Sequence, residues 1–241
     1  MTYEVRFYRD WVQQSGLVTF EAVRRESDLQ IRAHRDLQHQ AGDLLEKARA
    51  DIERHIARQP AFAESFSPIP ASPNVAPIVK TMLDAAAAYD VGPMAAVAGA
   101  VAQHVGEGLL RWSPEVIVEN GGDIYVKMDR PVELGLYAGA DSPFSGEVRF
   151  RVDPKGDGLG VCTSSGTVGH SVSLGRADAV VAIAESAALA DAAATAIGNR
   201  IASPPDVEKT LNIEQERGLL KGLFIAVGKT MGAFGEIELL R

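Results

Sequence analysis

The sequence predicts an α+β fold, and three observations support this prediction. Alternating apolar and polar residues indicate strands near the N-terminus, between residues 115 and 163, and at the C-terminus. Apolar residues at helical spacing indicate a helix over residues 36–58, and Ala-rich helices follow it. Strands and helices come in separate runs, which is typical of α+β proteins and not of repeated βαβ units.

The length of 241 residues fits one large domain or two small, intimately packed ones, and we expect a single globular domain over residues 1–241. Of its residues, 46% are hydrophobic and 23% are charged, which is ordinary for such a domain. The net charge of −8 argues against a nucleic-acid partner, because phosphate binding needs basic residues. Cys162 is the one cysteine, so an internal disulfide is excluded and a reducing compartment is favoured.

The first residues, MTYEVRFYRDWVQQS, are charged and aromatic. They lack the basic segment followed by an apolar segment that marks a secretory signal. Asp, Gly and Pro interrupt the most apolar segments, so no window has the length of a membrane-spanning helix. We therefore expect a cytoplasmic protein without a membrane partner.

In the N-terminal half, proline and glycine mark the boundaries. The helix over residues 36–58 ends at Pro60, and residues 60–77 form a Pro-rich loop that either covers the surface or lines a site. A second helix covers residues 78–89. Pro93 suits the first turn of a third helix, predicted over residues 94–104. Its N-terminus beside Gly92 is either a simple cap or an anion site, because free amides point from such an end. The strands predicted before these helices cover residues 3–8, 18–24 and 29–33.

Strong turn chemistry lies between the strands predicted over residues 115–119 and 124–127. The turn reads Asn120-Gly121-Gly122-Asp123, and its glycines are suited to the positive φ angles of a hairpin. Paired glycines also allow a flat ring or a phosphate to approach the backbone closely. Further strands are predicted over residues 132–137, 147–152 and 159–162.

The stretch from Gly160 to Asn199 combines a strand, a small polar loop and an Ala-rich helix. A buried strand is predicted over residues 179–184, Ser186 is the candidate N-cap, and the helix covers residues 187–199. Asp191 and Thr195 lie one turn apart on one face of this helix. Either they mark its solvent-exposed face or they share a hard cation such as Mg²⁺, which prefers oxygen ligands.

The C-terminal part is predicted to close the domain. A helix over residues 206–217 begins at Asp206, a candidate cap, and strands follow over residues 223–227 and 237–240. Lys229 lies in the connection between these two strands.

Three segments resemble the ApbE-type flavin transferases, which are FAD:protein FMN transferases. L-A-D-A-A-A-T-A around Asp191 is similar to their A-D-A-x-A-T-A helix. Asn120-Gly121-Gly122-Asp123-Ile124 is similar to their N-x-G-G-D-[IL] segment, and Thr163-Ser164-Ser165-Gly166 with His170 beyond it is similar to their T-S-G loop and histidine. V-G-P-M-A-A-V-A-G and C-T-S-S-G-T-x-G-H-S bring the chain closer still to a cytoplasmic branch of ApbE-like proteins.

The resemblance implies a T-fold-like architecture, mainly antiparallel sheets backed by helices. It also implies a Mg²⁺ ion on Asp191 and Thr195, and FAD cleavage with transfer of FMN to a Ser or Thr of an acceptor protein. His170 would be the general base, with Asp191 the second catalytic residue. The nucleotide would be bound by Gly92, by the Asn120, Gly121, Gly122 and Asp123 segment, and by Thr163, Ser164, Ser165 and Gly166.

Two departures from the family pattern keep other functions open. No D-P-x-T-G follows His170, and Val91 stands where the family has a lysine before its glycine. The second hypothesis is therefore a non-catalytic module that binds a flavin or another nucleotide. A third is a structural subunit of a homo-oligomer, because small helix faces favour close packing.

Hydrolase chemistry is the weaker enzymatic alternative. Cys162 and His170 with an aspartate would make a nucleophile set, but a buried structural cysteine is commoner. The segment from Gly160 to Gly166 does not match the G-x-S-x-G pattern of serine hydrolases.

Overall fold

A computed structural model describes residues 16–135, 149–154, 156–165 and 175–240. It contains an eight-stranded antiparallel sheet of order β1-β2-β3-β4-β7-β8-β9-β10 and a three-stranded sheet of order β11-β6-β5. The strands are β1 Val18–Arg24, β2 Ser27–Ala33, β3 Val116–Asn120, β4 Asp123–Lys127, β5 Val132–Gly135, β6 Arg149–Val152, β7 Leu159–Ser164, β8 Ala179–Ala184, β9 Gly222–Val227, β10 Thr230–Gly235 and β11 Glu238–Leu240.

The helices are α1 Gln38–Arg58, α2 Ala61–Glu64, α3 Pro77–Tyr89, α4 Val97–Leu109, α5 Ala187–Arg200 and α6 Asp206–Arg217. A 3-10 turn, Pro93–Ala96, leads into α4. Helices α4 and α5 pack on each other and on the large sheet, and α3 packs on α5. This mixed helix and antiparallel-sheet architecture confirms the predicted fold class.

Both faces of the large sheet are covered at its central strands, such as β8 and β9. Side chains there alternate between two cores because strand residues point to opposite sides in turn. In β8, Val180 and Ala182 belong to the core under the helices. Val181 and Ile183 belong to the core between the two sheets. All six residues of β8 are buried for this reason, as its continuous apolar sequence predicts.

Several predicted elements are confirmed closely. The strands over residues 18–24 and 179–184 and the helix over residues 206–217 have the predicted bounds. Ser186 caps α5, its side chain accepting a hydrogen bond from the Leu189 amide at 3.4 Å. The strand predicted over residues 3–8 lies outside the described residues.

Other boundaries differ from the prediction. The helix predicted from residue 94 begins at Val97, because the four residues from Pro93 form a 3-10 turn instead. Asp206 is the first residue of α6 and not its cap, and its carboxylate accepts hydrogen bonds from the amides of Ala202 and Ser203. Lys229 joins β9 to β10, a strand that the sequence analysis missed.

Within the described residues, no single helix has both the length and the apolar character to cross a membrane. Helix α3 and the segment Pro93–Leu109 pass that test only as a pair, and a bend of 106° separates them.

Candidate functional site

Asp191 is buried in the interface between α5 and α4. Its carboxylate Oδ2 accepts a hydrogen bond from the Gly99 amide at 2.9 Å, and only 9% of the residue is exposed. The Ala98 amide also interacts with this carboxylate. Both amides belong to the first turn of α4, where amides have no partner within the helix and favour a negative charge. Asp191 therefore does not mark a solvent-exposed face; it caps the start of a neighbouring helix.

The protonation of Asp191 is set by burial. Desolvation raises its pKa to about 7, although the amides of Gly99 and Ala98 act in the opposite direction by stabilising the charged form. The carboxyl group is thus poised to change its charge near neutral pH.

A second buried carboxylate, Asp123, lies beside Asp191. It occupies the first position of β4, directly after the glycine turn, and is 9% exposed. Burial raises its pKa well above the usual range, and the negative charge of Asp191 raises it further, while the Thr163 amide and the Cys162 thiol oppose the shift. Asp123 Oδ1 is buried and has no hydrogen-bond partner among the described residues.

Cys162 completes this buried cluster on the neighbouring strand β7. It is 0% exposed, and its thiol donates a hydrogen bond to the Ala187 carbonyl at 3.3 Å. Burial and the nearby carboxylates of Asp123 and Asp191 raise its pKa well above the usual range. A neutral, buried thiol is a poor nucleophile, so the cysteine-hydrolase alternative loses its support.

The glycine turn is joined to the start of α4. Asn120 donates from Nδ2 to the Ala98 carbonyl at 3.1 Å, and Glu119 Oε1 accepts from the Gly122 amide at 3.0 Å. Gly121 and Gly122 have φ angles of 67° and 106°, and a Cβ atom on either would meet no atom of the described part of the chain within 4 Å. The turn is therefore anchored at its base and open at its tip.

The serine-rich loop is described only at its beginning. Thr163 and Ser164 end β7, and Ser164 Oγ lies 3.3 Å from the position of a Cβ added at Gly198, so it packs close to the last part of α5. Ser165 follows at intermediate burial. Gly166 and His170 lie outside the described residues, so their roles stay predictions.

Two further predicted site residues, Thr195 and Gly92, lie within the described residues. Thr195 is half-buried one turn after Asp191, as predicted from the i, i+4 spacing. Gly92 has a packing role, because a Cβ atom there would lie 1.7 Å from the Ser65 carbonyl oxygen. Its predicted contact with a nucleotide is untested, but α4 begins at Val97 and its first amides already interact with Asp191.

The cluster thus contains two oxygen donors suited to a hard cation, Asp123 and Asp191, with Thr195 one turn away. No group of three or more His, Cys, Asp or Glu side chains that could hold a metal occurs in the described parts of the chain. A cleft of about 650 Å³ lies elsewhere, and none of the predicted site residues lines it. It is formed by Pro131, Arg151, Val152, Asp153, Lys221, Glu236, Ile237 and Glu238.

The sequence analysis missed the partners of Asp191 on α4. Gly99 was the available signal, because a glycine inside a helical pattern often marks close packing. A Cβ atom there would lie 2.2 Å from the Ala187 carbonyl oxygen and 2.9 Å from Asp191 Cβ. The glycine lets the two helix backbones approach closely enough for the amide to reach the carboxylate.

Structural comparison places the fold beside solved flavin transferases. A mutant of the flavin transferase ApbE from Vibrio cholerae superposes with a TM-score of 0.59, covering 91% of this chain and 97% of that chain at 11% identity. The apo flavinyl transferase ApbE of Pseudomonas stutzeri has a TM-score of 0.55 at 14% identity, covering 90% of this chain and 94% of that chain. At these identities the likeness establishes the fold alone.

Sequence comparison establishes the family. The UPF0280 protein of Methanococcus aeolicus is 42% identical over 202 residues, which are 82% of this chain and 81% of the relative. The UPF0280 protein of Methanopyrus kandleri is 42% identical over 184 residues, 76% of this chain and 74% of the relative. A family model described as "AbpE bacteria" matches residues 9–217. The chain therefore belongs to the family that this model describes, as the resemblance of its motifs to ApbE-type proteins predicts.

Proposed function

We propose that this protein binds FAD together with Mg²⁺ and transfers the FMN half to a Ser or Thr hydroxyl of an acceptor protein. The observation that carries the proposal is the pair of buried carboxylates, Asp123 and Asp191, where the glycine turn, the start of α4 and the Ala-rich helix α5 meet. Solved proteins that share the fold are flavin transferases, which supports a flavin nucleotide as the ligand.

The residues present fit a magnesium ion. Two like-charged carboxylates buried together are costly unless a proton or a cation is shared between them. Asp123 Oδ1 is a buried acceptor without a partner among the described residues. A bound cation would satisfy this oxygen. Asp191 and Thr195 would hold the ion through oxygen atoms. Asp123 interacts electrostatically with Asp191, so the positive charge of the ion would stabilise both carboxylates.

When bound, the cation neutralises charge on the FAD diphosphate, as phosphoryl transfer requires. The chain's own residues bind and orient the substrate. The open tip at Gly121 and Gly122 lets a flat ring approach the backbone, with Asn120 holding the turn against α4. The loop from Thr163 would bind phosphate through its amides. His170 would take the proton from the acceptor hydroxyl, since its ordinary pKa lies near neutral pH.

A non-catalytic module that binds a flavin or another nucleotide is the second candidate. Two observations favour it: the sequence after His170 lacks D-P-x-T-G, and Asp191 already has a structural role as an acceptor for the first amides of α4. In this case the carboxylates would support nucleotide binding without cleavage.

The decisive experiment incubates the purified protein with FAD and Mg²⁺ and measures AMP release. Asp191→Asn is the informative variant, because an amide oxygen can still accept from Gly99 while the negative charge is lost. We expect AMP release to fall about a hundredfold or more, since the variant would hold less tightly the cation that neutralises the diphosphate. Asp84→Asn, at an exposed carboxylate of α3, is the matched control and should retain full activity.

Titrations with FAD, FMN, NAD and ATP complete the experiment by separating the two candidates. FAD binding without AMP release would favour the binding module. If neither FAD binding nor AMP release is detected in the wild-type protein, the flavin assignment is wrong.

A further inference from the structure

We propose that Gln103 is a positioning residue for the Asp191 carboxylate and, since this step rests on the proposed function, for the cation bound there. Gln103 lies on α4, one turn after Gly99, and its side chain reaches the first residues of α5. Among the described residues its side chain contacts Ser186, Ala187 and Glu107, so it acts on the carboxylates through the helix that carries Asp191.

The side-chain carbonyl of Gln103 holds the N-terminus of α5. Its Oε1 accepts hydrogen bonds from the Ala187 amide at 2.9 Å and from the Ser186 hydroxyl at 3.0 Å. An amide in the first turn of a helix has no acceptor within that helix, so an acceptor from another element stabilises it there. Ser186, the cap of α5, is thereby oriented as well, and its Oγ accepts from the Leu189 amide at 3.4 Å.

Two polar contacts therefore join α4 and α5 on successive turns. Gly99 of α4 donates to Asp191 of α5, and one turn further along α4, Gln103 accepts from Ala187, which is one turn before Asp191. Helix α5 is also packed on the large sheet and on α3. Within that packing, two polar contacts a turn apart constrain the sliding and the rotation of α5 against α4, and with them the direction in which the Asp191 carboxylate points.

The packing between these helices provides few other constraints on their register. The facing residues are small: a Cβ atom on Gly99 would overlap the Ala187 carbonyl at 2.2 Å, and the buried residues of α5 are mostly alanines. Helices normally lock together by inserting side-chain ridges into grooves, and alanine and glycine form shallow ridges. The polar contacts of Gln103 and Gly99 therefore set the register more strongly than usual.

The other end of the Gln103 amide offers a matched control. Its Nε2 donates to Glu107 Oε1 at 2.8 Å on the exposed side of α4. Exchanging the two residues, Gln103→Glu with Glu107→Gln, keeps an acceptor towards Ala187 and a hydrogen bond between positions 103 and 107. Gln103→Leu has similar size but removes the acceptor.

The test measures two quantities: the hydrogen-exchange rate of the Gly99 amide and the affinity for Mn²⁺, which is used alone as a probe for Mg²⁺. Hydrogen exchange of the Gly99 amide is followed by NMR, with the Val105 amide of the same helix as the reference. The concentration of free Mn²⁺ is followed by electron paramagnetic resonance. In Gln103→Leu we expect exchange at Gly99 to become about tenfold faster relative to Val105. The Mn²⁺ dissociation constant should rise about tenfold, since residues that orient metal ligands affect affinity by about 10- to 100-fold. The exchanged pair should restore both values.

The outcomes separate this proposal from the proposed function. If Gln103→Leu changes neither the exchange rate of the Gly99 amide nor the Mn²⁺ affinity, Gln103 is not a positioning residue. The same conclusion follows if the exchanged pair fails to restore both values. If the wild-type protein binds no Mn²⁺, the metal part of the proposed function fails. The exchange rate of the Gly99 amide in Gln103→Leu would still test the role of Gln103. Should Gln103→Leu not fold, Gln103→Asn, which is one methylene too short to reach Ala187, is expected to give the same two changes.

Discussion

The two faces of the eight-stranded sheet differ in chemistry although they are made by the same strands. On β4 and β7, Asp123 and Cys162 face the helices, whereas their neighbours Ile124 and Val161 face the three-stranded sheet. The hydrophobic core between the sheets includes Phe150 and Phe224 in edge contact at 5.3 Å, and the same face of β2 and β3 carries buried Arg32 and Glu119. The helix-facing core holds the two carboxylates of the candidate site, Asp123 and Asp191.

Backbone hydrogen bonding explains this difference. Amides and carbonyls of a sheet are paired along the strands, so a sheet face offers few donors to a carboxylate packed on it. A helix has unpaired amides at its N-terminus. On the helix-facing side, buried Asp191 finds its donors in the first turn of α4. The candidate site therefore lies where a helix end meets the sheet.

The largest effect on the free energy of unfolding is expected from a substitution in the core between the sheets. Phe224→Ala should lower the free energy of unfolding by about 4 kcal/mol, because it removes a fully buried ring and leaves a cavity. The affinity of the folded protein for Mn²⁺ should not change, since Phe224 faces away from the carboxylates. Urea unfolding and Mn²⁺ titration check this, with Phe224→Leu as the milder control. A change in Mn²⁺ affinity at constant fold would mean that the two faces are coupled.

On the helix-facing side, adding a single methyl group should affect both stability and the site. Gly99→Ala places a Cβ atom against the backbone of Ala187, so we expect a loss of about 2–3 kcal/mol and weaker Mn²⁺ binding. Gly108→Ala on the same helix is the matched control. Its Cβ atom would meet the side chain of Leu44, whose two methyl groups lie 2.7 Å away and can move, and alanine favours the helix. Equal effects of both variants on Mn²⁺ affinity would contradict the assigned role of Gly99.

Elements determined by local sequence were predicted well, and those determined by distant contacts were not. The strand over residues 179–184 and the helix that carries Asp191 follow from their own residues. The partner of Asp191, Gly99, is 92 residues away, and no local pattern connects the two. Strand β10 was missed because glycines interrupt its pattern, and its structure depends on pairing with β9 and on cover from α6.

The titration of Asp191 predicts how stability depends on pH. In the unfolded chain an aspartate ionises near its ordinary pKa of about 3.9, whereas burial raises the pKa of Asp191 to about 7. Between these values the folded protein binds more protons than the unfolded chain, so the stabilising effect is fully present at low pH and is lost as pH rises through 7. Wild type should be less stable at pH 8 than at pH 5 by about 2 kcal/mol.

Asp191→Asn provides the comparison, because it removes this titration and should make the dependence shallower, leaving the part that the raised pKa of buried Asp123 contributes with the same sign. In the wild type, Mg²⁺ should recover stability at pH 8 by replacing the lost proton. Urea unfolding at both pH values with and without Mg²⁺ measures these differences. An equally steep dependence in Asp191→Asn would assign the titration to another group, with Asp123 the nearest candidate.

The smallest effect is expected at the tip of the glycine turn. Gly121 has a φ angle of 67° and open space around it, so Gly121→Ala should cost about 1 kcal/mol through backbone strain alone. Gly121→Asn should cost less, because asparagine tolerates this conformation. If the tip serves only the hairpin, FAD binding by the folded protein is unchanged in both variants. If a flat ring approaches the backbone here, both side chains obstruct it, and the FAD dissociation constant rises in Gly121→Asn even though its stability is restored.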